Sequence, residues 1–161
     1  MSESSNCMKY SCIIRKCSNQ EIRDLLILFD PVSFKPNSHL CDTNLESWLT
    51  KLSSHAQILT CYLNQVLVGT LFFYANDIAL ARKEGFCSYF CVLPEYRKQG
   101  IASYSLQETK SYLKKRGITH FRLKCAKSNI VAYEFYIKNG FVVVDVDNEF
   151  YTLVSLTSND G

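Results

Sequence analysis

The chain of 161 residues lacks the features that mark several large protein classes. Its longest strongly apolar run, Leu25–Phe29, is far shorter than the ~20 residues that cross a bilayer. Its first residues lack the apolar segment of a signal peptide. The net charge is only +3, from 18 basic and 15 acidic residues, which does not favour a nucleic-acid partner. We therefore expect a cytoplasmic protein without a membrane or nucleic-acid partner.

Cysteine is abundant, with eight residues, but its arrangement is typical of neither a disulfide framework nor a zinc site. A chain without a secretory signal is expected in a reducing compartment, where thiols stay free. There is no C-x-x-C pair, and the spacing of Cys7, Cys12 and Cys17 lacks a second pair of ligands. Cys61 lies within the apolar run Leu59–Leu63, as a buried thiol does. We expect free cysteines that pack as small apolar residues, and no metal.

The order of strand and helix patterns predicts an α+β domain with a mixed, mostly antiparallel sheet of about seven strands and about four helices. No repeat or linker divides the chain, so a single domain is expected over residues 1–161, with 1–9 as a flexible N-terminal extension. Asn64-Gln65 suits a tight hairpin, and 76–84 is expected to be a polar connection. The predicted strands are 11–16, 57–63, 66–74, 86–93, 118–125, 141–146 and 150–156, and the predicted helices are 20–29, 42–52, 100–116 and one that ends at Lys138. The strand–helix–strand unit over 86–125 predicts a parallel crossover.

The most informative stretch is the turn Arg97–Ala102, which follows a strand and Pro94 and opens a long helical pattern. A glycine turn that enters a helix points backbone N–H groups at one spot, and the helix dipole adds about half a positive charge there. The turn therefore predicts a phosphorylated ligand. Because Gly100 is its only glycine, the stretch matches neither the dinucleotide pattern G-x-G-x-x-G nor the phosphate loop G-x-x-x-x-G-K-S/T.

Two motifs resemble those of the GCN5-related N-acetyltransferase (GNAT) superfamily. Arg97-x-x-Gly100-x-Ala102 is similar to the family's R/Q-x-x-G-x-G/A turn, with Ala in the last place. Residues 129–141 are similar to its N-x-x-A-x-x-F-Y-x-x-x-G-F helix. By pattern the resemblance covers the chain from about Gly69 to its end. It implies the GNAT acyl-CoA N-acyltransferase fold, and an acetyltransferase that moves the acetyl group of acetyl-coenzyme A to an amine by direct attack in a ternary complex.

The resemblance also implies which residues bind acetyl-coenzyme A. The glycine turn would hold the pyrophosphate, since Gly100 lets the backbone approach the phosphates. The family's fourth strand splays from the fifth, so that the pantetheine arm bonds to open backbone groups and one N–H polarises the thioester carbonyl. The implied cofactor-binding residues are Phe90, Cys91, Val92, Arg97, Lys98, Gln99, Gly100, Ile101, Ala102, Ser103 and Asn129.

Two residues of the second motif have structural alternatives. Tyr136 matches the family's general acid, which protonates the departing thiolate. A tyrosine beside Phe135 also suits an amphipathic core position. Asn129 would contact the pantetheine arm through its side-chain amide, but it also suits a helix N-cap. Both roles of Asn129 can hold at once.

The family pattern does not identify the general base. Some relatives place a Glu on the fourth strand, where 86–93 has none, and others place one at the position of Lys124. We assign the base to Glu84, at the entrance to the fourth strand. The other candidates are Asp77, His120, and the run Asp145, Asp147 and Glu149, which would share one strand face if the strand extends that far. A water relay or an already neutral amine would also serve.

The acceptor stays open between a small-molecule and a peptide amine. Relatives recognise it with the first two helices, their loop and the last hairpin, where Phe34, His39 and Trp48 would line a pocket. Dimers are frequent in the family, so a homodimer is compatible with the resemblance. The alternatives are a catalytically degenerate acetyl-coenzyme A-binding module for sensing or partner binding, a general nucleotide-binding protein, and an enzyme that uses Cys87 or Cys91 as a covalent nucleophile.

Overall fold

The structure is a computed structural model that describes residues 9–34 and 43–158. Over these residues the chain forms seven strands, five α-helices and one 3₁₀ turn, Pro94–Tyr96. The strands are β1 (Tyr10–Arg15), β2 (Ala56–Leu63), β3 (Val66–Tyr74), β4 (Glu84–Val92), β5 (His120–Ala126), β6 (Val142–Val146) and β7 (Phe150–Leu156). The helices are α1 (Asn19–Phe29), α2 (Thr43–His55), α3 (Asp77–Arg82), α4 (Ile101–Lys115) and α5 (Ile130–Lys138).

The strands form a mixed sheet in the order β1-β2-β3-β4-β5-β7-β6. The pairs β1–β2, β5–β7 and β6–β7 are antiparallel. The pair β4–β5 is parallel, because α4 carries the chain back to the same end of the sheet. The predicted fold class and the parallel crossover are confirmed, and the predicted elements are all present with bounds shifted by a few residues.

The predicted polar connection over 76–84 is wrong, because most of it is helix α3. The Asn76 side chain caps this helix by accepting a hydrogen bond from the Ala79 N–H. Lys83 ends it in the left-handed conformation, with φ 56°. Six residues are too few to show an apolar period, so only the cap signalled the helix.

The described residues group into two compact units. The first takes in the described residues up to Phe72 together with Phe90–Ser105. In it, Ser18 and Glu21 form a capping box that starts α1. The hairpin turn at Asn64 and Gln65 has φ 49° and 72°, as a tight two-residue turn requires. The buried apolar side chains of this unit include Ile22, Leu26, Leu49, Leu52, Ile58, Leu59, Leu71 and Ile101.

The second unit takes in Phe73–Tyr89 and the residues from Leu106 onward, and its core is aromatic. The Phe121 ring lies 6.5 Å from the ring of Phe73 and 6.2 Å from that of Phe141. The Lys110 Nζ donates to the Asn139 carbonyl at 3.0 Å and lies 4.8 Å above the Phe141 ring, which ties α4 to the end of α5. Among the described residues, no helix combines the length and the apolar composition of a membrane span.

Candidate functional site

The glycine turn enters α4 with the geometry of an anion site. Lys98 has φ 63° and Gly100 has φ 83°, so both lie in the left-handed region. The first helical hydrogen bond runs from the Tyr104 N–H to the Gly100 carbonyl at 3.0 Å. The N–H groups of Ile101, Ala102 and Ser103 therefore precede the first helical donor and have no acceptor within α4. Their common direction and the helix dipole favour a bound anion at this point.

The start of α4 is held against the sheet of its own unit. Ile101 is buried, with 1% of its surface exposed. A Cβ on Gly69 of β3 would lie 3.4 Å from the Ile101 Cγ2, an ordinary packing distance, so the Ile101 side chain packs directly against β3. The Ser105 hydroxyl donates to the Ile101 carbonyl at 2.9 Å. The N–H groups of the first turn are thus fixed in place.

The two cations of the turn differ in their contacts. The Arg97 Nε donates to the Val92 carbonyl at 3.1 Å, so this side chain folds back on the end of β4. Lys98 is exposed. Gln99 is half-buried, and its Nε2 lies 3.4 Å from the Glu95 carbonyl. Both positive side chains therefore lie on the turn that presents the N–H groups, which suits a phosphate group.

Tyr10 is a residue of this turn that sequence reasoning missed. Its hydroxyl donates to the Gln99 carbonyl, and its ring stacks on that of Tyr104 with 5.2 Å between centroids. It lies at the start of β1, 89 residues away along the chain from Gln99. No motif includes it, and only the folded chain brings it to the turn.

The C-terminal end of β4 carries the residues expected to meet the pantetheine arm. Phe90 and Cys91 are half-buried and Val92 is buried. The Leu93 N–H donates to the Val68 carbonyl at 2.9 Å, which fixes this end of β4 on β3. The Cys91 thiol is directed at the Phe29 carbonyl at the end of α1, with 3.7 Å between Sγ and oxygen. The thiol thus packs against α1.

The pairing of β4 with β5 is short. It runs from Glu84↔His120 to Phe86↔Arg122, although β4 continues to Val92 and β5 to Ala126. Backbone groups of β4 beyond Phe86 are therefore not used in a ladder with β5. The splay of these two strands that the resemblance implied stays a prediction.

Tyr136 lies on α5 in a setting that keeps its hydroxyl protonated. Its ring packs edge-on against Phe135 and Phe141, each with 5.5 Å between centroids. Burial, and then the charges that the Cys87 and Cys125 thiols would carry, raise the pKa of Tyr136. A phenol with a raised pKa holds its proton at neutral pH and so remains available as a proton donor.

Cys87 is a poor nucleophile in this setting. Burial is the main cause that raises the pKa of Cys87 to about 12, against the smaller opposing effect of a hydrogen bond with the Tyr89 backbone. Because the thiolate is the reactive form, this thiol is inert near neutral pH. Of the described cysteines, Cys17, Cys61, Cys87 and Cys125 are buried and Cys12 and Cys91 are partly exposed. Within residues 9–34 and 43–158, no group of three or more His, Cys, Asp or Glu side chains lies close enough to hold a metal ion.

Asn129 caps α5. Its side-chain oxygen accepts from the Ala132 N–H at 3.2 Å, and its own N–H donates to the Ala126 carbonyl at 3.0 Å. The N-cap interpretation is therefore confirmed. The residue is exposed, and the cap uses the oxygen of its side-chain amide and leaves the amide nitrogen outside that bond.

Glu84 begins β4 and is held by Arg122 of β5. The Arg122 Nε donates to the Glu84 Oε1 at 2.6 Å and its Nη2 donates to Oε2 at 3.2 Å. The hydrogen bond to Glu84 is the largest cause that raises the pKa of Arg122. Both carboxylate oxygens are thus engaged by the guanidinium of Arg122.

The other carboxylates proposed as a base are dispersed. The strand does not extend far enough for Asp145, Asp147 and Glu149 to share one face, because β6 ends at Val146 and a bulge interrupts its register between Val143 and Asp145. Asp147 forms the hairpin turn by accepting from the Glu149 and Phe150 N–H groups, and these bonds lower the pKa of Asp147. Asp77 lies in the first turn of α3, and the His120 Nδ1 lies 2.8 Å from the Thr119 hydroxyl.

Two of the three residues named for an acceptor pocket lie together. The rings of Phe34 and Trp48 stack with 6.4 Å between centroids, and both are half-buried. The third, His39, lies outside the described residues. The pair joins the residues after α1 to α2, in the part of the chain that the family uses for acceptor recognition.

A family model and a curated relative match this chain. Residues 19–141 match the model described as the acetyltransferase (GNAT) family. A spermidine N(1)-acetyltransferase of Thermoplasma acidophilum is 38% identical over 60 residues. That match covers 37% of this chain and 37% of the relative, so the chain spans little more than a third of the length of the curated relative it matches.

Solved structures share the fold over nearly the whole chain. The PaiA N-acetyltransferase of Thermoplasma acidophilum, in complex with coenzyme A, has a TM-score of 0.66 at 24% identity and covers 91% of this chain and 99% of its own. A Bacillus subtilis acetyltransferase in complex with CoA has a TM-score of 0.68 at 16% identity and covers 92% and 99%. At these identities the likeness shows the fold, and it confirms the predicted fold class.

Proposed function

The chain belongs to the GNAT family of acetyltransferases, and we propose that it transfers an acetyl group from acetyl-coenzyme A to an amine by direct attack in a ternary complex. The observation that carries the proposal is the turn Arg97–Ser103. It combines left-handed Lys98 and Gly100 with the open N–H groups of α4, an arrangement suited to a pyrophosphate. Coenzyme A carries a pyrophosphate, and two solved relatives of the same fold contain it.

The rest of the cofactor would lie along the end of β4. Backbone groups of Phe90, Cys91 and Val92 would bond to the pantetheine arm, and one N–H among them would polarise the thioester carbonyl. The short β4–β5 pairing supports this role, because it leaves backbone groups of β4 outside that ladder. Asn129 would add a contact through its amide nitrogen, which the N-cap does not use.

Tyr136 is the proposed general acid. When the amine attacks the thioester carbon, the C–S bond breaks and the sulfur leaves as a thiolate, which takes the phenolic proton. The assignment rests on the match of Tyr136 to the family motif, and the raised pKa means only that the phenol is protonated when the thiolate forms. Water returns the proton to the phenolate after coenzyme A departs.

Direct transfer is favoured over a covalent acetyl-enzyme. Cys87 has its pKa raised to about 12 and is buried. The Cys91 thiol packs on the end of α1 at the Phe29 carbonyl. Cys87 is therefore not an activated nucleophile, and the acceptor amine is the proposed attacking group.

The proposed general base is Glu84, the only carboxylate on β4. It would take the proton of an ammonium acceptor, directly or through water, on a lone pair that the bonds to Arg122 leave free. This ion pair is also the observation that favours the second candidate function, a degenerate module that binds acetyl-coenzyme A without turnover. A carboxylate used only to tie β4 to β5 would leave the chain without a base on this strand.

The first acceptor to test is a polyamine. The relative named spermidine N(1)-acetyltransferase is 38% identical over 60 residues, which supports spermidine as the first amine to test. Polyamines, peptide N-termini and lysine side chains all present the primary amine that the reaction requires.

A coenzyme A release assay tests the proposal. Purified protein is incubated with acetyl-coenzyme A and a panel of amines that includes spermidine, and free thiol is measured with and without each acceptor. Acceptor-dependent release that is lost in Tyr136→Phe is the expected result. Calorimetric binding of acetyl-coenzyme A without release on any acceptor would favour the degenerate module. Binding of ATP as tight as that of acetyl-coenzyme A would favour a general nucleotide-binding protein.

A further inference from the structure

The hydroxyl of Tyr10 lies directly against the peptide that joins Gln99 and Gly100. It donates a hydrogen bond to the Gln99 carbonyl, and a Cβ on Gly100 would lie 2.9 Å from its oxygen. We propose that Tyr10 is a positioning residue that holds the Gln99–Gly100 peptide in the orientation required to bind the pyrophosphate of coenzyme A. The inference rests on the proposed function, because the ligand it names is the proposed cofactor.

The planar peptide group fixes the direction of the Gly100 N–H relative to the Gln99 carbonyl. In a trans peptide the carbonyl and the following N–H point in opposite directions. A hydroxyl that captures the Gln99 carbonyl on one side therefore turns the Gly100 N–H to the other side. This N–H directly precedes those of Ile101, Ala102 and Ser103 at the start of α4. Tyr10 thus determines whether the Gly100 N–H can contribute to the anion site.

The orientation needs an external support because glycine does not enforce it. Gly100 has φ 83°, but glycine adopts negative φ about as readily, so the peptide before it is free to rotate. Lys98, two residues earlier, is also in the left-handed region, at φ 63°. A turn with two such residues has competing conformations. The hydroxyl of Tyr10 selects one of them before any ligand binds, which is preorganisation.

Tyr10 is itself well placed to act as this support. Strand β1 pairs Tyr10 with Leu63, and the neighbouring Lys9 exchanges hydrogen bonds of 3.0 Å and 2.9 Å with Asn64. The ring of Tyr10 stacks on Tyr104 in the first turn of α4, at 5.2 Å. A phenylalanine at position 10 keeps this stack and the strand pairing, and removes only the hydroxyl.

The test measures binding of three probes to Tyr10→Phe by calorimetry or by amide chemical shifts. Coenzyme A and dephospho-coenzyme A both contain the pyrophosphate, and pantetheine lacks it. The expected result is that both pyrophosphate probes bind about tenfold more weakly, the effect of one misaligned hydrogen bond to a charged group. Pantetheine binding is expected to be unchanged. The matched control is Tyr62→Phe, which removes a hydroxyl from β2 opposite Ser11 of β1 and should leave all three affinities unchanged.

Each other outcome has a distinct meaning. Coenzyme A affinity that is unchanged in Tyr10→Phe overturns the inference and leaves the proposed function standing. An equal loss for coenzyme A and pantetheine also overturns it, because it indicates general damage to the unit. Absence of coenzyme A binding to the unsubstituted protein overturns the proposed function and this inference with it.

Discussion

The ring of Tyr136 packs edge-on against that of Phe141, with 5.5 Å between centroids and 66° between planes. Phe141 is in turn covered by the Lys110 Nζ at 4.8 Å, and it contacts Phe121. Aromatic packing therefore sets the position of the Tyr136 ring. Burial and the nearby thiols raise the pKa of its hydroxyl. A substitution can therefore remove the hydroxyl of Tyr136 and keep its ring.

Tyr136→Phe is expected to retain the fold and lose turnover. The phenylalanine ring keeps both edge contacts, so the thermal unfolding midpoint should change little. Loss of a positioned general acid should lower kcat about a hundredfold or more, and KM for acetyl-coenzyme A should stay within a few-fold. Steady-state kinetics and a thermal melt measure the two effects. A variant with unchanged kcat would remove Tyr136 from the catalytic assignment.

Gly100→Ala is expected to weaken coenzyme A binding, and Gly117→Ala is its matched control. Both glycines have nearly the same φ, 83° and 81°, so alanine at either should cost about 1–2 kcal/mol of stability. Only at Gly100 would the new Cβ meet an atom at close range, the Tyr10 hydroxyl at 2.9 Å, whereas at Gly117 its nearest neighbour is 4.0 Å away. Denaturant unfolding should show a larger loss for Gly100→Ala, since the Tyr10 hydroxyl must also shift, and calorimetry should show weaker coenzyme A binding for this variant alone. Equal coenzyme A affinity in the two variants would argue against a phosphate site at the turn.

Local chemistry in the sequence was enough to predict much of this fold. The cap at Asn129, the tight turn at Asn64-Gln65 and the end of α4 at Gly117 each depend on residues within a few positions, and each is present as expected. Helix α3 was missed because it has only one and a half turns, too short for a period.

The support of the candidate site could not be predicted in the same way. Tyr10 reaches Gln99 across 89 residues of sequence, and Arg122 reaches Glu84 across 38. Neither pair follows a local rule, since each is created by strand order and register. The motifs therefore located the proposed cofactor-binding residues, whereas their supporting contacts required the folded chain.

Glu84→Gln and Arg122→Met together test the proposed base. Each breaks the same ion pair, so both should lower stability by a similar amount. Only Glu84→Gln removes the carboxylate, so only that variant should lower kcat. The measurement is steady-state kinetics of both variants with an amine that the wild type acetylates. Equal stability losses with kcat unchanged in both variants would leave Glu84 a purely structural residue.

The lowered pKa of Glu21 predicts how the stability of the fold changes in acid. The hydrogen bond from Arg15, and then the N–H of Ser18, lower the pKa of Glu21 to about 2 from an ordinary value of 4.5. A depressed carboxyl pKa means that the ionised form stabilises the folded state above pH 4.5 and that this contribution disappears as the pH falls towards 2. Glu21→Gln keeps an oxygen for the Ser18 N–H but loses the charge that pairs with Arg15. Its unfolding midpoint should therefore lie below that of the wild type at pH 7, and the difference should shrink steadily between about pH 4.5 and pH 2. Denaturant titrations across this range measure the difference, with Arg15→Met as the matched control that should follow the same course. A gap between wild type and Glu21→Gln that stays constant with pH would mean that the charge of Glu21 does not contribute to folding.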